Sequence, residues 1–148
     1  MKFEHRCFMP FAAEKLWPYL ADVQQTALCI PGMESVKPVG PNSWVGKVRV
    51  HLGLFSIGVD GTIRLIASDP AARRLVLSIE AEEKRLGGGL RGTVTAQLEG
   101  NSPNSCLLVV ESDLATTGTA NRLGDTAVQN KAKEAVEQFA ENLKQKAA

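Results

Sequence analysis

The chain of 148 residues is short of several things, and each shortage removes a class of protein. It has three cysteines, Cys7, Cys29 and Cys106, odd in number and widely spaced. A secreted disulfide framework uses an even set and a zinc site favours C-x₂-C pairs, so neither is expected and the thiols read as free, buried and reduced. Charge of one sign is not in surplus: 17 Lys+Arg face 16 Asp+Glu, for a net +1. No strong field therefore draws in nucleic acid or an anionic membrane. No stretch approaches the roughly 20 apolar residues of a membrane span. Met1-Lys2-Phe3-Glu4-His5-Arg6 alternates apolar with charged and has no continuous apolar core of a secretion signal. The expectation is a cytoplasmic chain, at most peripheral at the inner face of the cell membrane.

What is present is globular composition: 44% hydrophobic residues, with 13 Gly and 7 Pro. A single domain of this length removes about 68–70% of its unfolded surface from water, which suffices for a core without disulfides or a structural metal. Residues 2–9 alternate, Phe3, His5, Cys7 and Met9 on one face, and predict a half-buried strand. Pro10 closes it. Leu16, Trp17 and Leu20 then recur at helical spacing, with Pro18 keeping that helix short or kinked. Asp22 is placed to cap a second short helix that Pro31-Gly32 ends.

From Glu34 to Thr117 the period is two. Val48, Val50 and Leu52 alternate with Lys47, Arg49 and His51; Gly53 separates them from the next strand, where Phe55, Ile57, Val59, Gly61, Ile63 and Leu65 share one side. Asp69-Pro70 signals a turn. Leu75, Leu77, Ile79 and Ala81 follow, then Leu90, Gly92, Val94, Ala96 and Leu98, a turn at 100–104, and Leu108, Val110, Ser112 and Leu114. Strand after strand with short turns predicts an antiparallel meander. A helical stripe of Leu123, Ala127, Val128, Ala135, Val136, Phe139 and Leu143 predicts one helix over 119–147, about 43 Å long.

Seven strands at about 4.8 Å make a sheet some 30 Å wide, and a helix covers only about 10–12 Å of it. The sheet must curl around the helix, and small inner residues (Gly61, Ala81, Gly92, Ala96, Ser112) widen the enclosed space. Two readings stand. One is a cavity lined by Val48, Val50, Ile57, Val59, Ile79, Leu90 and Val110 that suits an apolar ligand. The other is a filled core in which the glycines are bend points.

Several segments in order resemble a known family. They are Met1-Lys2-Phe3-Glu4, Glu14-Lys15-Leu16-Trp17, Cys29-Ile30-Pro31-Gly32-Met33-Glu34-Ser35-Val36, Gly61-Thr62-Ile63-Arg64-Leu65, the Gly87–Gly92 stretch, and Gln138-Phe139-Ala140-Glu141-Asn142-Leu143. Together they are similar to the carbon monoxide dehydrogenase G-subunit family, within the START-like helix-grip (polyketide cyclase and lipid transport) superfamily. The resemblance spans essentially the whole chain and implies one domain over 1–148. It implies an α+β helix-grip fold: a seven-stranded curved antiparallel sheet wrapped around a long C-terminal helix, with two short helices after strand 1. It further implies a non-enzymatic accessory of a molybdenum hydroxylase that holds a quinone-like or lipid molecule, with no catalytic residue. Membrane-associating members continue past the long helix in a tail. This chain ends at Ala148, just past Lys144-Gln145-Lys146, so peripheral contact at most is expected.

Polar candidates are few. His5 shares parity with Phe3, Cys7 and Met9, so it either hydrogen-bonds a ligand or is a core imidazole satisfied by a neighbour. His51 has outer parity, and two histidines on opposite faces make a poor metal site. Cys29 lies at a helix C-terminus, where the dipole does not activate a thiol. Ser112 points inward without an evident His–Asp partner, Glu80 and Glu82 point outward, and Glu83 turns inward near its strand end. Gly87–Gly92 precedes a strand and lacks the Lys-Ser/Thr of a phosphate loop. Arg73, Arg74, Lys84, Arg85 and Arg91 are candidates for a basic patch at one end, as a solvated rim or a docking site.

The expected site is therefore a ligand cavity formed by His5, Val48, Val50, Ile57, Val59, Gly61, Ile79, Leu90, Gly92, Val110, Ser112, Leu123 and Ala127, with no metal. Its partners are an apolar small molecule and a molybdenum hydroxylase, with no nucleic acid. A cyclase-type enzyme using His5 or Ser112, and a docking protein with a filled core, are the alternatives on the same fold.

Overall fold

A computed structural model describes residues 1–52, 54–100 and 102–148. Gly53, expected between two strands, and Asn101, in the expected turn at 100–104, lie outside the described residues. Strand β1 (Lys2–Met9) leads into helices α1 (Ala13–Ala21) and α2 (Val23–Leu28). Six strands follow: β2 (Met33–Gly40), β3 (Ser43–Leu52), β4 (Phe55–Asp69), β5 (Arg74–Glu83), β6 (Gly88–Glu99) and β7 (Cys106–Gly118). A 3-10 turn (Thr119–Leu123) and helix α3 (Asp125–Ala147) complete the chain.

The strands form one antiparallel sheet in the order β1-β7-β6-β5-β4-β3-β2, so β1 closes one edge beside the last strand. The alternation read from sequence sets its two faces. Cross-strand pairing aligns His5 with Val110, Val110 with Ala96, and Ala96 with Leu75. Another inner row runs Gly46, Gly61, Ala81, Leu90 and Thr116. Register shifts between Leu65 and Ala67 in β4, and at Met33/Ser35 and Pro38/Gly40 in β2, insert the extra residues that bend strands and let the sheet curve.

Two apolar clusters hold the helices to the sheet. In the first, Met9, Leu98, Cys106 and Leu108 pack with Leu16 and Leu20 of α1 and with Ala140, Leu143 and Ala147 of α3. Met9, Leu16, Leu20, Leu108 and Leu143 have no exposed surface, and each contributes about 1.5–3 kcal/mol by burial. In the second, Val23 and Ala27 of α2 cover Ile63, Leu75 and Leu77. Trp17 packs against both. The Asp22 carboxylate accepts from the Gln25 N–H at 3.3 Å, as expected of a cap. Pro18 lies inside α1, which stays only nine residues long. Gly32, at φ +81°, ends the turn after α2 so close to β3 that a side chain there would strike the Arg49 carbonyl oxygen.

Three expectations need correction. The C-terminal helix does not begin at 119: Gly124 adopts φ +80°, which no right-handed helix can include, so the 3-10 turn stands apart from α3. Apolar spacing registers periodicity and is blind to that break. Leu123 therefore leaves the helical stripe and is 48% exposed, and Ala127 in the first turns of α3 is exposed too. The basic residues do not form one patch either. Arg73 and Arg74 stand at the start of β5 and Lys84 and Arg85 just past its end, separated by a ten-residue strand of about 33 Å. Arg73 is paired with Glu14 at 3.2 Å.

Candidate functional site

The gripped side of the sheet is closed at one end and open at the other. Rows through Leu98–Leu108 and Cys106–Met9 lie under α1 and the last turns of α3. There α3 is fastened by side chains as well: Asn142 Nδ2 donates to the Cys29 carbonyl at 2.9 Å and Lys146 Nζ to Gln25 Oε1 at 2.6 Å. Between Asp125 and Phe139 no residue of α3 is buried, although Val128, Ala132, Ala135, Val136 and Phe139 continue an apolar stripe towards the sheet.

Opposite that loosely covered half, Val48 pairs with Val59 and Val50 with Ile57 on the β3–β4 ribbon, and all four are partly exposed on the inner face. Gly61, Ile79, Leu90 and Gly92 are partly exposed on the same face. At Gly61 an added Cβ would make only ordinary contacts with two backbone oxygens, of Glu80 at 3.6 Å and Gly46 at 4.0 Å, so a methyl fits there without a clash. At Gly46 the same addition would press on Met33 Sδ at 2.8 Å, so the wall is sealed there. The inner wall thus carries partly exposed apolar side chains on the β3–β4 ribbon, with small residues beside them.

His5 is also partly exposed on this wall, and its Nε2 is buried with no hydrogen-bond partner. Its ring lies 5.8 Å from that of Phe3. Ser112, 6% exposed, stands diagonally across from it, since Val110 pairs with His5 and Ser112 with Phe3. Val110, expected to line the cavity, belongs to the packed cluster instead. The other polar inner-face side chains of β1, β5, β6 and β7, thiols aside, are spent locally. The Glu83 carboxylate accepts from the Arg85 N–H at 3.2 Å and from the Leu86 N–H, holding the β5–β6 turn. Thr116 Oγ1 bonds Asn121 Oδ1 at 2.6 Å.

Sequence reasoning started the β3 inner row at Val48 and so passed over Trp44 and Gly46, which share its parity and pair with Ile63 and Gly61. Even numbering was the available signal. All three thiols are held above the ordinary cysteine value, in each case chiefly by burial. That suits packing and not nucleophilic chemistry. His51 is exposed, as its parity required. Among the described residues no group of three or more His, Cys, Asp or Glu is arranged to hold a metal ion. Among them, too, no helix is long and apolar enough to cross a membrane.

An open depression of about 750 Å³ lies over the same strands, with Gly46, Gly61, Ala81 and Leu90 among its lining residues. Lys47, Asp60, Glu80, Glu82, Lys84 and Arg91 line it. Charges of both signs facing solvent give it no affinity for an apolar molecule, so size does not make it the site.

A curved seven-stranded antiparallel sheet gripping a C-terminal helix, with two short helices after the first strand, is the START-like helix-grip fold. The sequence profile of the carbon monoxide dehydrogenase G-subunit family, CoxG, matches residues 10–148, and the chain belongs to that family. No curated protein matches it significantly. Among solved structures it is similar to a conserved protein of Geobacillus kaustophilus, at TM-score 0.87 and 16% identity over 99% of this chain and 95% of that one. A START superfamily protein of Mycobacterium smegmatis gives TM-score 0.72 and 14% identity over 99% and 96%. An aromatase/cyclase of a Streptomyces species gives 0.63 and 18% over 99% and 93%. At these identities the three establish the fold alone.

Proposed function

We propose that the protein is a non-enzymatic carrier of an apolar molecule, a quinone-like one in keeping with its family, and serves a molybdenum hydroxylase as an accessory. The observation that carries the reading is the uncovered half of the gripped face. Val48, Val50, Ile57 and Val59 are apolar, inward and only partly buried, and Gly61 beside them leaves room for a methyl without a clash. Apolar surface left open inside a fold costs free energy in proportion to its area, and a ligand that covers it recovers that cost. The hydroxylase and the quinone come from the family, whose members accompany such enzymes. A cyclase-type reaction draws less support. Of the polar inner-face side chains on β1, β5, β6 and β7, only His5 and Ser112 are left to face a substrate, and neither is joined to a carboxylate.

Organic extraction of natively purified protein, read by mass spectrometry and ultraviolet absorption, tests the reading directly. The expected result is a stoichiometric isoprenoid quinone or comparable lipid, and a thermal shift when delipidated protein receives decylubiquinone. Gly61→Leu puts a larger side chain beside the ribbon and should abolish that shift while the fold survives. An empty extract, with no shift on adding decylubiquinone, overturns the carrier and leaves the docking role.

A further inference from the structure

The geometry points to His5 as the polar anchor of the bound molecule, fixing its class as a ring or head group with a hydrogen-bonding oxygen attached to an otherwise apolar body. This rests on the carrier reading above. His5 Nε2 is a buried polar atom without a partner, in a wall whose nearest other polar side chain across β7 is Ser112, diagonal to it. A buried donor or acceptor left unpaired is costly, and such atoms are rare in folded proteins. The neighbours across the sheet cannot repair it: Val110 faces His5 on β7, and Ala96 and Leu75 extend that row. Phe3, its neighbour on the same face of β1, offers only a ring.

From His5 the inner face crosses the buried β7 row of Val110, Ser112 and Leu114, then passes Gly92 and Ile79 to Gly61 and the partly exposed apolar side chains of the β3–β4 ribbon. A ligand therefore lies with its oxygen against β1 and its hydrocarbon along β4 and β3. A neutral imidazole has a donor tautomer and an acceptor tautomer at Nε2. It can thus donate to a carbonyl oxygen or accept from a hydroxyl, and one site can hold both the carbonyl and the hydroxyl form of the same ring. Serving both forms needs no proton transfer between ligand and protein.

The test compares decylubiquinone with decylbenzene, which keeps the ring and the ten-carbon tail and lacks oxygen. Binding is read by quenching of Trp17 and Trp44 fluorescence or by calorimetry. Loss of one hydrogen bond in His5→Phe should weaken decylubiquinone about tenfold and leave decylbenzene unchanged. His5→Gln, which keeps a polar end, should recover part of the loss. In the unsubstituted protein the His5 Nε2 ¹⁵N resonance should move on adding decylubiquinone and stay in place with decylbenzene, a readout that needs no variant to fold. Equal losses for both probes, or no loss for either, or an unmoved resonance, overturn the anchor while the carrier stands. If the unsubstituted protein binds neither probe, the carrier reading falls and takes the anchor with it.

Discussion

The two ends of the gripped face are built from the same kinds of residue and behave differently. At the closed end Met9, Leu16, Leu20, Leu108 and Leu143 are wholly buried, and Asn142 and Lys146 tie the end of α3 to the Cys29 carbonyl and to Gln25. At the open end Val48, Val50, Ile57 and Val59 are no less apolar, yet α3 has no buried residue before Ala140. The difference lies in coverage and not in hydrophobicity. One end is where the chain acquires its stability, and the other holds apolar surface in reserve. A domain of this size can leave part of its face uncovered because net stability depends on a few densely packed residues.

The sharpest way to break this comparison is to cut side chains of similar chemistry at both ends. Leu143→Ala opens a cavity in a fully packed cluster and should cost about 3 kcal/mol. Val59→Ala removes methyl groups that are already partly in water and should cost less than about 1 kcal/mol. Urea denaturation of the ligand-free protein measures both. Equal costs would mean that the β3–β4 ribbon is packed as tightly as the closed end, and the contrast would be gone.

Glycine substitutions sharpen the same contrast with a smaller effect. Gly32→Ala puts a methyl into the Arg49 carbonyl oxygen at a positive φ and should destabilise by about 2 kcal/mol. Gly61→Ala meets nothing nearer than 3.6 Å and should change stability by less than about 0.5 kcal/mol. A large loss at Gly61, measured by thermal unfolding, would show the space above it to be occupied by the protein itself. The reverse lesson holds for Ala96, one of the small residues expected to widen the cavity. It is 8% exposed within the first cluster, and enlarging it would overpack the core instead of covering open surface.

Much of this was legible in the sequence. Alternation fixes which side chains face inward, so β1, β5, β6 and β7 read correctly from parity, and Asp22 marks the start of α2. What parity cannot convey is coverage. Val110 and Val48 have the same chemistry and inner placement, but one lies in the packed cluster and the other on the open wall. That depends on where α3 runs, which Gly124 alters by separating it from the preceding turn. The orphaned Nε2 of His5 was out of reach for a similar reason. Its inward parity was plain, whereas the absence of a partner depends on which residues of β7 and β6 stand opposite, namely Val110 and Ala96. Register, more than composition, makes the site.

The smallest effect expected concerns the thiols, which sample the boundary between the two ends. Cys29 and Cys106 are buried at the closed end, whereas Cys7 on the inner face of β1 is partly exposed. Burial raises all three; for Cys7 the Glu137 and Glu141 carboxylates add to the rise and Lys144 opposes it. A raised pKa means less thiolate at a given pH, so all three should react with a disulfide reagent at pH 8 more slowly than free cysteine, with Cys7 first. Because the folded pKa lies above the unfolded one, the unfolded chain loses its thiol protons first as pH rises. The associated stability is intact below the unfolded thiol pKa of about 8.5 and declines as pH climbs from there towards the folded value. Denaturation midpoints should therefore fall modestly between about pH 8 and pH 10, and Cys29→Ala should blunt the slope. Were Cys7, which packs against the first cluster, to react no faster than Cys106, the closed region would extend up β1 as far as Cys7, two residues short of His5.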